Sequence, residues 1–285
     1  MTKQDEQAEQ YCLSLIRIGD YERYLSLLFA PKDKRGALAA LYAFNLEIAR
    51  IRDAIREPLA GEIRLRWWRD QIENNDIEKA DNLILKALFK AQSQYHLPKA
   101  AFLRMCDARI FDLYNDPILT QTDLEGYLGE TASTLIQLAC LILDEEAAQK
   151  SADASGHAGV AQGINGLIRL LPLYGTRGQL YIPADMLAAA GIDEKKLYGN
   201  DANIEMRQRI VEALCALSKE HYTKFLQQQD TLPTTLRPAF LSAALTPAYL
   251  QKTKKIGANS FDHVVVISPL KRWWLMMRCA LSGKF

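Results

Sequence analysis

Asp53 and Glu57 stand four residues apart on the run Leu38–Glu57, LAALYAFNLEIARIRDAIRE, whose apolar residues recur at helical spacing. Carboxylates at i and i+4 share one helix face, which is how helices present oxygen ligands to a hard dication such as Mg²⁺. Arg50 is read onto the same face with Leu46 and Ala49, and a guanidinium there repels a dication. The competing use is structural. Asp53 then pairs with Arg50, and Glu57 sits on the frayed turn before Pro58, where the helix ends. That use is the better reading, because one short pair leaves most of the octahedral Mg²⁺ shell unfilled.

A second segment runs from Gly159 to Asp185, GVAQGINGLIRLLPLYGTRGQLYIPAD, and no Asp or Glu occurs between Asp153 and Asp185. Its cations are Arg169 and Arg177. Guanidinium forks match phosphate oxygens, so Arg50, Arg169 and Arg177 are candidates to hold an anionic head group directly. Salt bridges to Asp53 or Asp185, or bonds to backbone carbonyls, are the other use of the same side chains.

The elements that must position these residues are helical almost throughout. Helical spacing covers Tyr11–Phe29, Leu38–Ile55, Glu62–Ile72, Leu83–Tyr95, Lys99–Tyr114, Thr122–Leu143, Ala158–Leu171, Asn203–Gln229, Arg237–Lys252 and Pro269–Ala280. Thr120 and Asp123 open one of them in capping-box style. Only His263–Ile267, HVVVI, is strand-like, and a run so short is equally a buried turn. Pro172–Gly199 reads as a long internal loop. One all-α domain over residues 1–285 is the economical expectation.

With 285 residues, 24% charged, 49% hydrophobic and a net charge of +1, the chain suits a globular protein and lacks the basic excess of a nucleic-acid binder. The longest apolar run, Ala132–Leu143, is shorter than a membrane span and reads as a buried helix. The amino-terminal MTKQDEQAEQ has no apolar core and carries acidic residues, so cytoplasm is the expected compartment. Cys12, Cys106, Cys140, Cys215 and Cys279 are scattered and read as buried thiols rather than zinc ligands or disulfides. His96, His157, His221 and His263 are equally dispersed, with His157 read at a helix start beside Gly156.

The Gly159–Asp185 segment resembles the second signature of the squalene/phytoene synthase family, GxxxQxxNxxRDxxEDxxRGRxYxPxD. The frame holds without a gap at Gly159, Arg169, Arg177, Gly178, Tyr181, Pro183 and Asp185. Leu38–Glu57 resembles its YAFCRxxDDxxD helix, and Ser26–Phe44, Glu62–Glu73 and Thr231–Ala243 resemble further family segments. The resemblance implies a single-domain isoprenoid (trans-prenyl transferase) synthase-like helical bundle with a central cavity. Members that couple prenyl diphosphates head to head hold the leaving pyrophosphate with Mg²⁺ between two acidic clusters. Here Gly163, Gly166, Leu170, Leu173 and Tyr174 fill the second cluster's ligand positions, and Ala49 and Arg50 replace the first cluster's paired Asp, leaving Asp53.

Asn45, Glu47, Gln162, Gly163 and Pro172 are similar to a subgroup typified by a mitochondrial respiratory complex I assembly factor, which also lacks the aspartate pairs. The resemblance therefore implies a protein without Mg²⁺-dependent coupling and without a cofactor. Its expected partners are complex I subunits or assembly proteins, with a prenyl diphosphate or anionic lipid in the cavity. The candidate cavity residues are Asn45, Arg50, Asp53, Arg169, Arg177 and Tyr181. The alternative is an isoprenoid transferase with a rearranged site, which would need Mg²⁺ at Asp53 and Glu57. A third possibility is peripheral contact with the inner membrane surface through KRWWLMMRCALSGKF, although that helix, like Trp67-Trp68, reads in preference as core.

Overall fold

The computed structural model describes residues 3–75, 81–199 and 202–285, so Met1 and Thr2 of the amino-terminal stretch read above lie outside it. Among the described residues there is no strand. The helices are α1 (Lys3–Gly19), α2 (Tyr21–Leu28), α3 (Arg35–Ala54), α4 (Pro58–Asn74), α5 (Leu83–Gln94), α6 (Lys99–Tyr114), α7 (Gln121–Leu128), α8 (Thr134–Leu143) and α9 (Glu145–Ala148). They continue with α10 (Ala152–Arg169), α11 (Leu171–Arg177), α12 (Ala184–Ala189), α13 (Ile204–Leu226), α14 (Arg237–Phe240), α15 (Thr246–Ile256) and α16 (Pro269–Ser282).

Several boundaries differ from the sequence reading for local reasons. The run Tyr11–Phe29 breaks at Asp20, whose carboxylate caps a new helix by accepting from the Arg23 backbone N–H at 3.1 Å. α4 starts earlier than expected because Pro58 fits the first turn, where no backbone donor is needed. Thr120 and Asp123 form the expected capping box of α7. Pro172 separates α10 from α11, as its missing N–H and ring require. The stretch after it is not a loop throughout, since it holds α11, α12 and a 3₁₀ turn at Glu194–Lys196. His263–Ile267 buries Val265 and Ile267 and exposes Val264 and Val266, an alternation with no partner strand.

The core has three parts. α1, α3, α4, α5, α6 and α8 surround one, where Phe44 meets Trp68 and Phe102 edge to face at 5.6 and 5.5 Å. Trp68 is the expected core anchor, whereas Trp67 is 41% exposed. α7, α10, α11 and α13 build the second part, and α15, α16 and the segment between α14 and α15 build the third. The continuous helical stretch Gln121–Leu143 is long and apolar enough to cross a membrane, longer than the run singled out in the sequence. Over half of its most apolar window is buried, and it packs on α3, α6 and α10 as a core element. All five cysteines are buried, and burial pushes Cys12, Cys106, Cys140 and Cys279 up to about 12 and Cys215 to about 11.

α10 is the central strut. Between α7 and α8 the chain makes a π turn, Gly129–Ser133, which lies directly on α10. The Ser133 hydroxyl donates to the Gly156 carbonyl at 2.9 Å, and a Cβ on Gly159 would stand 2.4 Å from the Ser133 Cα. Gly159 is therefore needed for backbone approach. On its other side α10 packs along α13, where His157 and His221 place their Nδ1 atoms 3.1 Å apart. His157 thus lies inside α10, one turn past the helix start expected for it.

Gly159→Ala forces the backbones apart and should lower unfolding stability by about 1–3 kcal/mol in chemical denaturation, the usual cost of overpacking. His157 is held below its ordinary value of 6.5, first by burial and then by the charges of His221 and Lys224. The unfolded chain therefore takes up this proton first. Stability from this group is complete above pH 6.5 and is lost as pH falls through the folded-state value. Melting temperature should drop over that window, and His157→Gln should show a smaller drop.

Candidate functional site

α3 and α10 face each other across a cavity of about 700 Å³. α3 contributes Asn45, Leu46, Ala49, Arg52 and Asp53, and α10 contributes Gln162, Gly163, Asn165, Gly166 and Arg169. The expected pairing of these two helices is thus present. The face of α3 is rotated from the one read in the sequence. At roughly 100° per residue, 45, 49, 52 and 53 cluster on one side and 50 passes its edge. Arg50 is accordingly exposed and outside the cavity lining, reaching the Gly19 carbonyl at 3.5 Å. Arg52 takes the inward position. Glu57 also lies outside the lining, exposed at the N-cap of α4.

Gly163 and Gly166 serve different ends. A Cβ at 163 would collide with Leu128 at 2.6 Å, so this glycine lets α7 and α10 close up. A Cβ at 166 meets nothing within 4 Å and would point into open space. Leu170, Leu173 and Tyr174 line the wall that the resemblance assigned to acidic residues.

The charged groups arrive mostly in pairs. Arg177 reaches Asp53 at 2.7 Å, so α11 takes the partner expected of Arg50. Arg169 and Arg272 converge on Glu22 at 3.7 and 3.5 Å, and the Tyr249 hydroxyl donates to the same carboxylate. The Arg169 guanidinium also lies over the Tyr249 ring, 4.1 Å from its centroid. Arg23 pairs with Asp20. Asp185 stays out of the lining and accepts from the Gln121 backbone N–H at 3.1 Å.

The most fully bonded group is one the sequence reading missed. Asp112, with its side chain 9% exposed, accepts from Arg109 at 3.1 Å, from the Tyr127 hydroxyl at 2.7 Å and from the Tyr181 hydroxyl at 2.6 Å. Gln179 donates both to the Asp112 carbonyl, at 3.0 Å, and to the Tyr181 hydroxyl, at 2.6 Å. Burial, then the Asp112 charge, pushes the Tyr181 phenol far above its ordinary value, so Tyr181 is a fixed donor. Arg109 stays charged. Burial opposes that charge, but Tyr127 and Asp112 more than offset it. The available signal was an Arg and an Asp at i, i+3 on one otherwise amphipathic helix.

Among the described residues, two buried asparagines carry amide atoms with no hydrogen-bond partner. Asn45 and Asn165 are 7% and 4% exposed, line the cavity from opposite helices, and leave the Asn45 Oδ1 and both Asn165 amide atoms unbonded. Buried amides are ordinarily bonded, so these atoms are hydrogen-bonding positions on the cavity wall that the protein itself does not use. Among the described residues Arg52 makes no ion pair, and its Nε is also buried without a partner.

A helical bundle closed around one cavity in this way is an isoprenoid synthase-like fold. Its backbone is similar to a dehydrosqualene synthase solved with a ligand, with a TM-score of 0.84, 20% identity and coverage of 98% of this chain and 97% of that one. Residues 16–273 match the squalene/phytoene synthase family model, and the chain belongs to that family. It is 28% identical to human NADH dehydrogenase (ubiquinone) complex I, assembly factor 6 over 257 residues, which span 89% of this chain and 76% of the human protein. Similarity to the phytoene synthase of Rhodobacter capsulatus is lower, at 20% identity over 96% of this chain and 81% of the other.

The Mg²⁺ that the family implies does not fit these residues. Asp53 is tied to a guanidinium, and Leu170, Leu173 and Tyr174 offer no carboxylate. Among the described residues no group of three His, Cys, Asp or Glu side chains converges on one point. The stability of the wall rests on Asp112 instead. Asp112→Ala leaves Arg109 buried and uncompensated, and should lower unfolding stability by about 3–5 kcal/mol in denaturant titration.

Proposed function

We propose that this protein is a non-catalytic factor of the complex I assembly kind, which uses an inherited prenyl-synthase cavity to hold an anionic amphiphile. The observation that carries the reading is that the expected metal-ligand positions on the cavity wall hold no carboxylate pair, while arginines line the same cavity. Six arginines and four carboxylates line the cavity, a formal excess of two positive charges. The acidic positions of the α10–α11 wall are Leu170, Leu173 and Tyr174, and the surviving Asp53 holds Arg177. Ionising an allylic diphosphate requires stabilising several negative charges on the departing pyrophosphate, which two excess cations supply poorly.

Binding needs less than ionisation. A charge-assisted hydrogen bond to phosphate contributes about 1.5–3 kcal/mol, and burial of an apolar chain against Leu46, Leu167 and Leu173 adds to it. Affinity on the order of micromolar is then within reach. The expected partners are subunits or assembly proteins of a complex I-type enzyme, in line with the name of the human relative. Cytoplasmic placement and the absence of a cofactor belong to the same proposal.

Farnesyl or geranylgeranyl diphosphate incubated with the purified protein and Mg²⁺ should release no pyrophosphate above a protein-free control. Mg²⁺-dependent release that disappears in Asp53→Ala would support the alternative, a transferase with a rearranged site.

A further inference from the structure

The outward face of α16 is apolar, which inverts the usual arrangement of a surface helix. Met276 and Cys279 face the core. Leu270, Trp273, Trp274 and Leu281 are 80%, 46%, 49% and 77% exposed, and with half-buried Met277 they fall on one stripe at helical spacing. The sequence reading favoured this helix as core, but the face it gives to solvent is the one that carries both tryptophans. An exposed apolar stripe of this kind marks an interaction surface.

The charges around the stripe select the occupant. From His263 to Phe285 the chain contains no Asp or Glu, while Lys271, Arg278 and Lys284 are exposed. The Arg278 guanidinium lies 5.0 Å from the Trp274 ring centroid, a pairing that keeps a cation beside the apolar face. Half-exposed tryptophans flanked by cations suit the level of lipid head groups, where the rings enter the acyl boundary and the cations meet phosphate.

The stripe adjoins the cavity. Val264, 51% exposed just before α16, lines the cavity together with Ile18, which is 86% exposed. Arg272 of α16 also lines it and lies 5.8 Å from the Tyr21 ring centroid. We propose that α16 and the Val264 segment dock this protein on an anionic bilayer, with the cavity opening toward the membrane surface. Docking of this kind stands independently of what the cavity holds.

The test is co-sedimentation of the purified full chain with vesicles of phosphatidylcholine alone or mixed with phosphatidylglycerol, read together with tryptophan emission. Binding should require the anionic lipid, weaken at raised salt and shift the emission to shorter wavelength. Lys271→Glu combined with Arg278→Glu should reduce vesicle affinity by about tenfold or more. Trp273→Ser combined with Trp274→Ser should remove the emission shift. Both double variants replace exposed residues and should keep the wild-type circular dichroism. No sedimentation with anionic vesicles at low salt, or equal binding by the charge-reversed variant, overturns the proposal. So does burial of the stripe by self-association, seen as a dimer in sedimentation velocity that Trp273→Ser with Trp274→Ser abolishes.

Discussion

Charge balance inside the cavity is the constraint on which the rest of this structure depends. Six arginines around one cavity must be offset, and among the described residues that line it the carboxylates form no dense cluster. The offset comes from single carboxylates spread over separate elements: Asp20 and Glu22 around α2, Asp53 on α3 and Asp112 on α6. Each pair ties two parts of the wall or stiffens one. The Arg177–Asp53 contact joins α11 to α3, and the Arg169 and Arg272 contacts bring α10 and α16 to Glu22. Asp53 is 51% exposed, so its pair contributes little stability, and its effect is to direct Arg177. The Asp112 network is buried and contributes both.

α3 and α10 face each other across the cavity, and Gly159 and Gly163 let α10 approach the π turn and α7. The positions that the family resemblance assigned to the second acidic cluster hold apolar side chains and an aromatic ring. The cavity has a polar end at Asp112 and a second polar site at Glu22, with unbonded amide atoms of two asparagines between the helices.

The helical architecture was legible because periodicity, caps and prolines act locally. Thr120 with Asp123, Pro172 and Gly178 each punctuate the chain where their own backbone chemistry demands. The facing of α3 and α10 was legible only through family resemblance, since nothing local specifies it. Which arginine of α3 points inward was misread. An exposed Arg50 and an inward Arg52 differ by two residues, and the rotation of a helix about its axis is set by packing on α1 and α5, which periodicity alone leaves loose. Asp112 and Asn165 were missed because their meaning arises from contacts between distant segments. Tyr181 was found by motif, but its partner on α6 was not.

The central claim is that protein cations, not Mg²⁺, receive the anionic group. Calorimetric titration with farnesyl thiolodiphosphate, which ionises too slowly to turn over, tests it directly. The account predicts binding of the same affinity in EDTA and in Mg²⁺, weakened by salt and by Arg177→Ala but unaffected by Arg50→Ala, because Arg50 lies outside the lining. Binding that appears only when Mg²⁺ is added would contradict it.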